Sequence, residues 1–121
     1  MTNATGKCLG SVLILFALAV SMAVSAHAAP GDVTATVESP CKYPSGLASD
    51  GTHLYLADWR EARIFQIDPA DGSVSRTWPA PSLNPHGLTF GADRLWISDD
   101  HTGGIFALDL DTGIPIKPVG R

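Results

Sequence analysis

Three short stretches carry side chains able to do chemistry. His86 stands in Pro85-His86-Gly87, and an imidazole that titrates near neutrality can serve as a general base or a metal ligand. Asp99-Asp100-His101 sets two carboxylates beside an imidazole, a composition that would suit a divalent cation if all three converged on one point. Trp59-Arg60 offers an indole face and a guanidinium, which together can stack on a sugar or an aromatic ring. No Ser/His/Asp triad, phosphate-binding loop or paired-cysteine motif is evident. Which of these groups meet depends on the elements that carry them.

Those elements repeat. Pro44 to Gly72 aligns without a gap on Pro85 to Gly113, 41 positions later, and nine of the 29 pairs are identical, Leu54/Leu95, Asp58/Asp99 and Ile64/Ile105 among them. Average residue usage gives roughly two by chance. Gly31, Val33 and Pro40 likewise precede Gly72, Val74 and Pro81 by 41, so a remnant of a further repeat opens the chain after its leader. A period near 40 allows helical pairs or propeller blades. Turn chemistry at Asp50-Gly51, Asp71-Gly72, Gly91 to Asp93 and Asp111 to Gly113 leaves no stretch long enough for a stable helix. The branched and aromatic runs between the turns predict strands.

The fold class is therefore all-β, with blades of four antiparallel strands. Strand a is expected near Gly46 to Ser49 and Gly87 to Phe90, and strand b over Leu54 to Ala57 and Leu95 to Ser98. Strand c is expected over Arg63 to Ile67 and Gly104 to Leu108, and strand d over Val74 to Trp78, Ile114 to Pro118 and, in the remnant, Val33 to Val37. Strands b and c are apolar at nearly every position, as sheets covered on both faces require. The domain reading is a repeat remnant at 31–43, a blade at 44–84 and a blade at 85–121. About two blades are present, whereas a six-bladed ring at this period needs on the order of 240 residues. The expectation is an incomplete ring, a fragment of a longer propeller, because Val119-Gly120-Arg121 has no obvious closing strand. The alternative is an oligomeric ring of identical chains.

The first 28 residues belong to neither blade. Lys7, an apolar run from Leu9 to Val24 and the small residues Ser25 to Ala29 form the order that signal peptidase reads, with cleavage expected after Ala28 or, as the alternative, Ala26. An uncleaved membrane anchor is the rival, since the run approaches the roughly 20 residues of a span. With 1–28 removed as a signal peptide, the exported chain, periplasmic or secreted, has no membrane span. Losing Lys7 from eight basic residues leaves seven against twelve acidic ones, net −5. Nucleic acid is excluded as a partner by the lack of a basic stripe. Cys41 then stands alone, either as a small apolar side chain or as a thiol for an intermolecular disulfide.

Strand direction decides which groups share a face. In an antiparallel blade the d-to-a connections and b-to-c loops emerge together, which collects Tyr43, Ser45, Trp59, Arg60, His86, Asp100 and His101 on one side. His86 starts the innermost strand and is the candidate catalytic base. Neighbouring strand residues point to opposite sides, so Asp99 and Asp100 are not expected to bind one ion together. The repeated Asp58 and Asp99 are expected to accept loop backbone N–H bonds. The non-repeated Trp59, Arg60, Asp100 and His101 are the expected binding residues.

"LYLADWREARIF", Leu54 to Phe65, resembles the NHL repeat, and its Asp58-Trp59 is similar to the YWTD propellers. "PHGLTFGADRLWISD", Pro85 to Asp99, resembles repeats of streptogramin lyases, whose superfamily includes gluconolactonase-like enzymes, and similar repeats occur in glutamine cyclotransferase-like proteins. The resemblance spans Val33 to Gly113 and implies a six-bladed β-propeller superfamily. For activity it implies a base such as His86 with a divalent metal of unknown identity, in a lyase, lactonase or cyclotransferase. The fold hosts binders and enzymes alike. The first functional reading is accordingly a scaffold for a small-molecule, sugar or protein ligand; the others are that enzyme and a two-blade, lectin-like homo-oligomer.

Overall fold

A computed structural model describes residues 27–116. The leader expected over residues 1–28 lies almost wholly outside the described residues, as do the last positions of the strand expected to Pro118. The chain divides into two units, the first ending at Thr34 and the second running from Ala35. In the first, Pro30 and Gly31 form a turn: the Asp32 amide donates to the Ala29 carbonyl at 3.0 Å and the Ala29 amide to Asp32 Oδ2 at 2.7 Å.

The second unit contains eight strands: β1 (Pro44–Ser49), β2 (Leu54–Asp58), β3 (Arg63–Ile67), β4 (Val74–Pro79), β5 (Pro85–Gly91), β6 (Arg94–Asp99), β7 (Ile105–Leu108) and β8 (Pro115–Ile116). They form two antiparallel sheets, ordered β1-β2-β3-β4 and β5-β6-β7-β8. These are the a, b, c and d strands of two blades, and no helix occurs among the described residues. Val33 to Val37 forms no strand. A d strand requires a c strand beside it to satisfy its amides, and the remnant carries none of its own.

Each blade turns at chemically matched positions. The c-to-d turns place Gly72 and Gly113 at φ of 77° and 70°, where a Cβ would clash. In the a-to-b turn of blade 1, Asp50 accepts the Tyr55 hydroxyl at 2.8 Å; in blade 2 the Gly91 carbonyl accepts Trp96 Nε1–H at 3.0 Å. The conservative pair Tyr55/Trp96 thus ties the same strand to the same turn with different donors.

The core lies between the blades. Tyr55, Ala57, Ile64 and Trp78 of the first sheet bury against Leu95, Ile97 and Leu108 of the second, with Leu88 and Phe90 packed beside them. The Tyr55 and Phe90 rings stack at 6.0 Å with 7° between planes, the offset-parallel arrangement that aromatic quadrupoles favour. Gly46 permits the close approach, because a Cβ there would sit 2.4 Å from the His86 carbonyl oxygen. Ser45 Oγ donates across the seam to the Pro85 carbonyl at 2.7 Å.

Candidate functional site

The site begins at two repeated carboxylates. Asp58, buried at the end of β2, accepts the amides of Arg60 (2.9 Å) and Glu61 (2.8 Å) on Oδ1 and that of Tyr43 (3.3 Å) on Oδ2. Asp99, buried at the end of β6, accepts the Thr102 amide (2.6 Å) and hydroxyl (2.8 Å) on Oδ1 and the Asn84 amide (3.1 Å) on Oδ2. Burial alone would raise both carboxyls. The converging donors outweigh it, lowering Asp58 and holding Asp99 at about 2. Both acids therefore shape the loops, as their recurrence predicts, and their lone pairs are committed to the chain itself.

Cys41 belongs to the same device, which the sequence reading missed. Its thiol favours the ionised Asp58 carboxylate, and 41 residues later Ser82 Oγ, which makes no hydrogen bond of good geometry, does the same for Asp99 from the equivalent place. Burial raises the Cys41 thiol, with the nearby Asp58 charge adding to it and Ser39 opposing. The pairing of Cys41 with Ser82 was legible at a spacing of 41, three residues before the aligned segment that starts at Pro44.

Pinned by these caps, the d-to-a connection and the b-to-c loop of each blade meet. The Trp59 amide donates to the Tyr43 carbonyl at 3.2 Å, and the Asp100 amide repeats that bond to Asn84 at 3.2 Å. In blade 1 this gathers an aromatic and cationic cluster. Arg60 sets its guanidinium 4.8 Å from the Tyr43 ring centre and donates to the Tyr43 hydroxyl at 3.1 Å. Lys42 Nζ lies 5.7 Å from that ring, and Trp59 meets it edge-on at 6.0 Å and 70°. Trp59 is 40% exposed, so part of the indole is open to solvent. Tyr43 is the hub of the cluster; its place directly before Pro44 put it on this face in the sequence without marking it as the centre.

Blade 2 carries a different set at the same positions. A β-bulge interrupts β1 between Pro44 and Gly46 and β5 between Pro85 and Gly87, leaving Ser45 and His86 outside the ladder. Such bulges re-aim a side chain. His86 Nε2 lies 4.0 Å from Asp100 Oδ2, both side chains well exposed. Asp100, in the turn after β6, is exposed where Asp99 at the strand end is buried. His101 is exposed in the adjoining loop. Among the described residues no group of three His, Cys, Asp or Glu side chains is arranged to hold a metal ion. Of the expected site residues, Trp59 and Arg60 meet on the Tyr43 ring and His86 approaches Asp100.

Comparison with solved structures agrees with this geometry. A chain of the nidogen/laminin complex matches 64% of this chain at 23% identity and a TM-score of 0.54. Virginiamycin B lyase from Staphylococcus aureus matches 66% at 23% identity and a TM-score of 0.53, and BamB from Moraxella catarrhalis matches 64% at 16% and 0.53. All three are β-propeller proteins. The fold is that of β-propeller blades. The match spans 30%, 28% and 24% of those three chains respectively. No protein-family model matches the chain, and no curated protein matches it significantly. No helix among the described residues is long and apolar enough to cross a membrane. At these identities the likeness concerns the fold alone.

Proposed function

We propose that the chain is an exported propeller scaffold that binds a ligand through its loop-rich face, with Trp59, Arg60 and Tyr43 of blade 1 as the contact platform and Asp100 and His101 of blade 2 tuning which ligand is accepted. The observation that carries this reading is the clustering of Lys42, Tyr43, Trp59 and Arg60 around one ring. In a chain whose blades are otherwise acidic, this is a place where a flat ring bearing negative charge finds an indole face and guanidinium donors together. A sugar carboxylate, an aromatic acid or an acidic protein segment has that chemistry. Export rests on the basic, apolar and small-residue order of the leader.

Of the three tryptophans, Trp78 is buried in the core and Trp96 is half-buried on β6, so the emission change assigned to Trp59 is the part that Trp59→Ala removes. Titration of the purified chain with a uronic-acid oligosaccharide, an aromatic carboxylate and an acidic peptide should shift tryptophan emission with at least one of them. Trp59→Ala should abolish the shift and Arg60→Ala should weaken it several-fold, in line with about 0.5 to 2 kcal/mol for stacking on a cation–π platform. Binding that survives both substitutions would remove this face from the function.

A specific observation also favours a second reading, the propeller enzyme of lyase, lactonase or cyclotransferase type. His86 is set out of the ladder at a bulge and has Asp100 within 4.0 Å, a distance at which a carboxylate can steady an imidazolium formed during proton abstraction. Turnover of a lactone or of an ester-linked substrate, lost on His86→Ala and kept on Trp59→Ala, would establish that reading over the first.

A further inference from the structure

We propose, resting on the binding role given above, that the ligand of the loop-rich face is an extended peptide segment with one acidic and one basic side chain, the acid held by Lys42 and Arg60 of blade 1 and the base by Asp100 of blade 2. The two blades build one backbone frame and hang opposite charges on it. The Trp59 and Asp100 amides make the same bond, at 3.2 Å, to the carbonyls of Tyr43 and Asn84, and Asp58 and Asp99 cap the two b-to-c loops alike. Side chains 41 positions apart therefore leave equivalent points of this frame. Lys42 is replaced there by Leu83, Trp59 by Asp100 and Arg60 by His101. Blade 1 shows two cations around aromatic rings; blade 2 shows a carboxylate beside imidazoles.

Both sets are unmatched within the chain. Among the described residues neither Lys42 nor Arg60 forms an ion pair, and the Arg60 guanidinium donates only to the neutral Tyr43 hydroxyl. Glu61, the acid next to Arg60, lines a separate groove with Arg63 and Trp78. Asp99 gives its oxygens to Thr102 and Asn84, whereas the Asp100 side chain accepts no hydrogen bond among the described residues. His86 Nε2 stands 4.0 Å from Asp100 Oδ2, beyond hydrogen-bond reach, and the Asp100 side chain is 71% exposed. The two sets flank the seam that Ser45 Oγ bridges to the Pro85 carbonyl at 2.7 Å, so one ligand can reach both. Packed sheets lie about 10 Å apart, which sets the interval between equivalent loops. A free amino acid, whose two charges share one carbon, is too short for it, and a polyuronate carries only the negative sign. An extended chain rises about 3.3 Å per residue with alternate side chains on one side, so residues two or four apart present their charges about 7 to 13 Å apart and bracket the interval. The exposed part of Trp59 gives the stem of the acidic residue an apolar surface. Blades added on either side of the pair would pack on sheet faces and leave this loop face in solvent.

Fluorescence anisotropy of a labelled, end-blocked glycine-serine peptide carrying glutamate and lysine four positions apart, titrated at low salt with the purified full-length chain, tests the proposal. Saturable binding is expected, weakening about two- to fivefold when the peptide's lysine becomes glutamine, the range of an exposed ion pair. Asp100→Asn should weaken the two-charge peptide by the same factor and leave the lysine-free peptide unchanged. Lys42→Gln combined with Arg60→Gln should likewise affect only peptides that keep the glutamate, since such non-additivity marks a direct pair. All three positions are exposed, so the variants should keep the β-sheet circular dichroism spectrum. No binding of the two-charge peptide, or an Asp100→Asn loss that is equal with and without the peptide's lysine, would overturn the inference. A uronic-acid oligosaccharide bound more tightly than the two-charge peptide, lost on Trp59→Ala and untouched by Asp100→Asn, would overturn this ligand class while leaving the platform in place; indifference to Trp59→Ala as well would remove both.

Discussion

Removing the Asp99 carboxylate should cost the fold more than any function. Asp99 accepts two backbone amides, from Asn84 and Thr102, and the Thr102 hydroxyl. A net hydrogen bond to a charged group contributes roughly 1.5 to 3 kcal/mol, and a donor left unsatisfied when buried costs about 1 to 3 kcal/mol. The hydroxyl can turn to solvent, and Thr102 is exposed, so its amide recovers a water in part. The Asn84 amide, in the half-buried connection, recovers less. The sum for Asp99→Ala is therefore about 2 to 4 kcal/mol. Asp99→Asn keeps one acceptor oxygen but must turn its amino group towards a donor, and should lose about half as much. Urea unfolding followed by circular dichroism checks both, with Asp58→Ala expected to behave alike because its hydrogen bonds are equivalent. An Asp99→Ala chain within about 0.5 kcal/mol of wild type, the range of ordinary surface substitutions, would refute the assignment of these acids to loop shaping.

Other expected outcomes follow from the same geometry. Asp50 and Asp99 are held at about 2 and Asp58 is lowered, against an ordinary 3.8; the unfolded chain then binds more protons in that window, so their contribution is full above about pH 4 and lost as pH falls towards 2, to be read as a falling urea midpoint. Ala62 sits at φ 52° where its repeat partner Gly103 sits at 66°, so Ala62→Gly should stabilise by about 0.5 to 1 kcal/mol, the left-handed strain relieved less the added chain entropy; calorimetry would detect destabilisation if the reasoning fails. The raised Cys41 thiol should alkylate more slowly at neutral pH in the folded chain than in urea, and Cys41→Ser should fold normally because serine serves at position 82.

Much of the fold was legible because turn chemistry and repetition agree. β3 (Arg63–Ile67) has the bounds expected for strand c, between a left-handed loop and Asp68. β4 and β6 extend past their apolar runs because ladder bonds, rather than side chains, set the ends of a strand. Val33 to Val37 has strand composition and forms no strand, since pairing is non-local and composition cannot supply the neighbour. The site was legible where repetition decides, as in the loop-capping hydrogen bonds of Asp58 and Asp99. The Tyr43 hub and the approach of His86 to Asp100 were not, because both depend on how a bulge and a capped loop bring segments 14 to 17 residues apart together.

The central claim is that two copies of one 41-residue unit fold as separate blades and bury one's face against the other's. Aromatic nuclear Overhauser spectroscopy of the labelled chain tests it most directly. Cross-peaks between the Tyr55 and Phe90 rings, stacked at 6.0 Å, and between the Trp78 ring and the Gly113 α-protons are expected together. Their absence in a chain that otherwise displays both four-stranded ladders would contradict it.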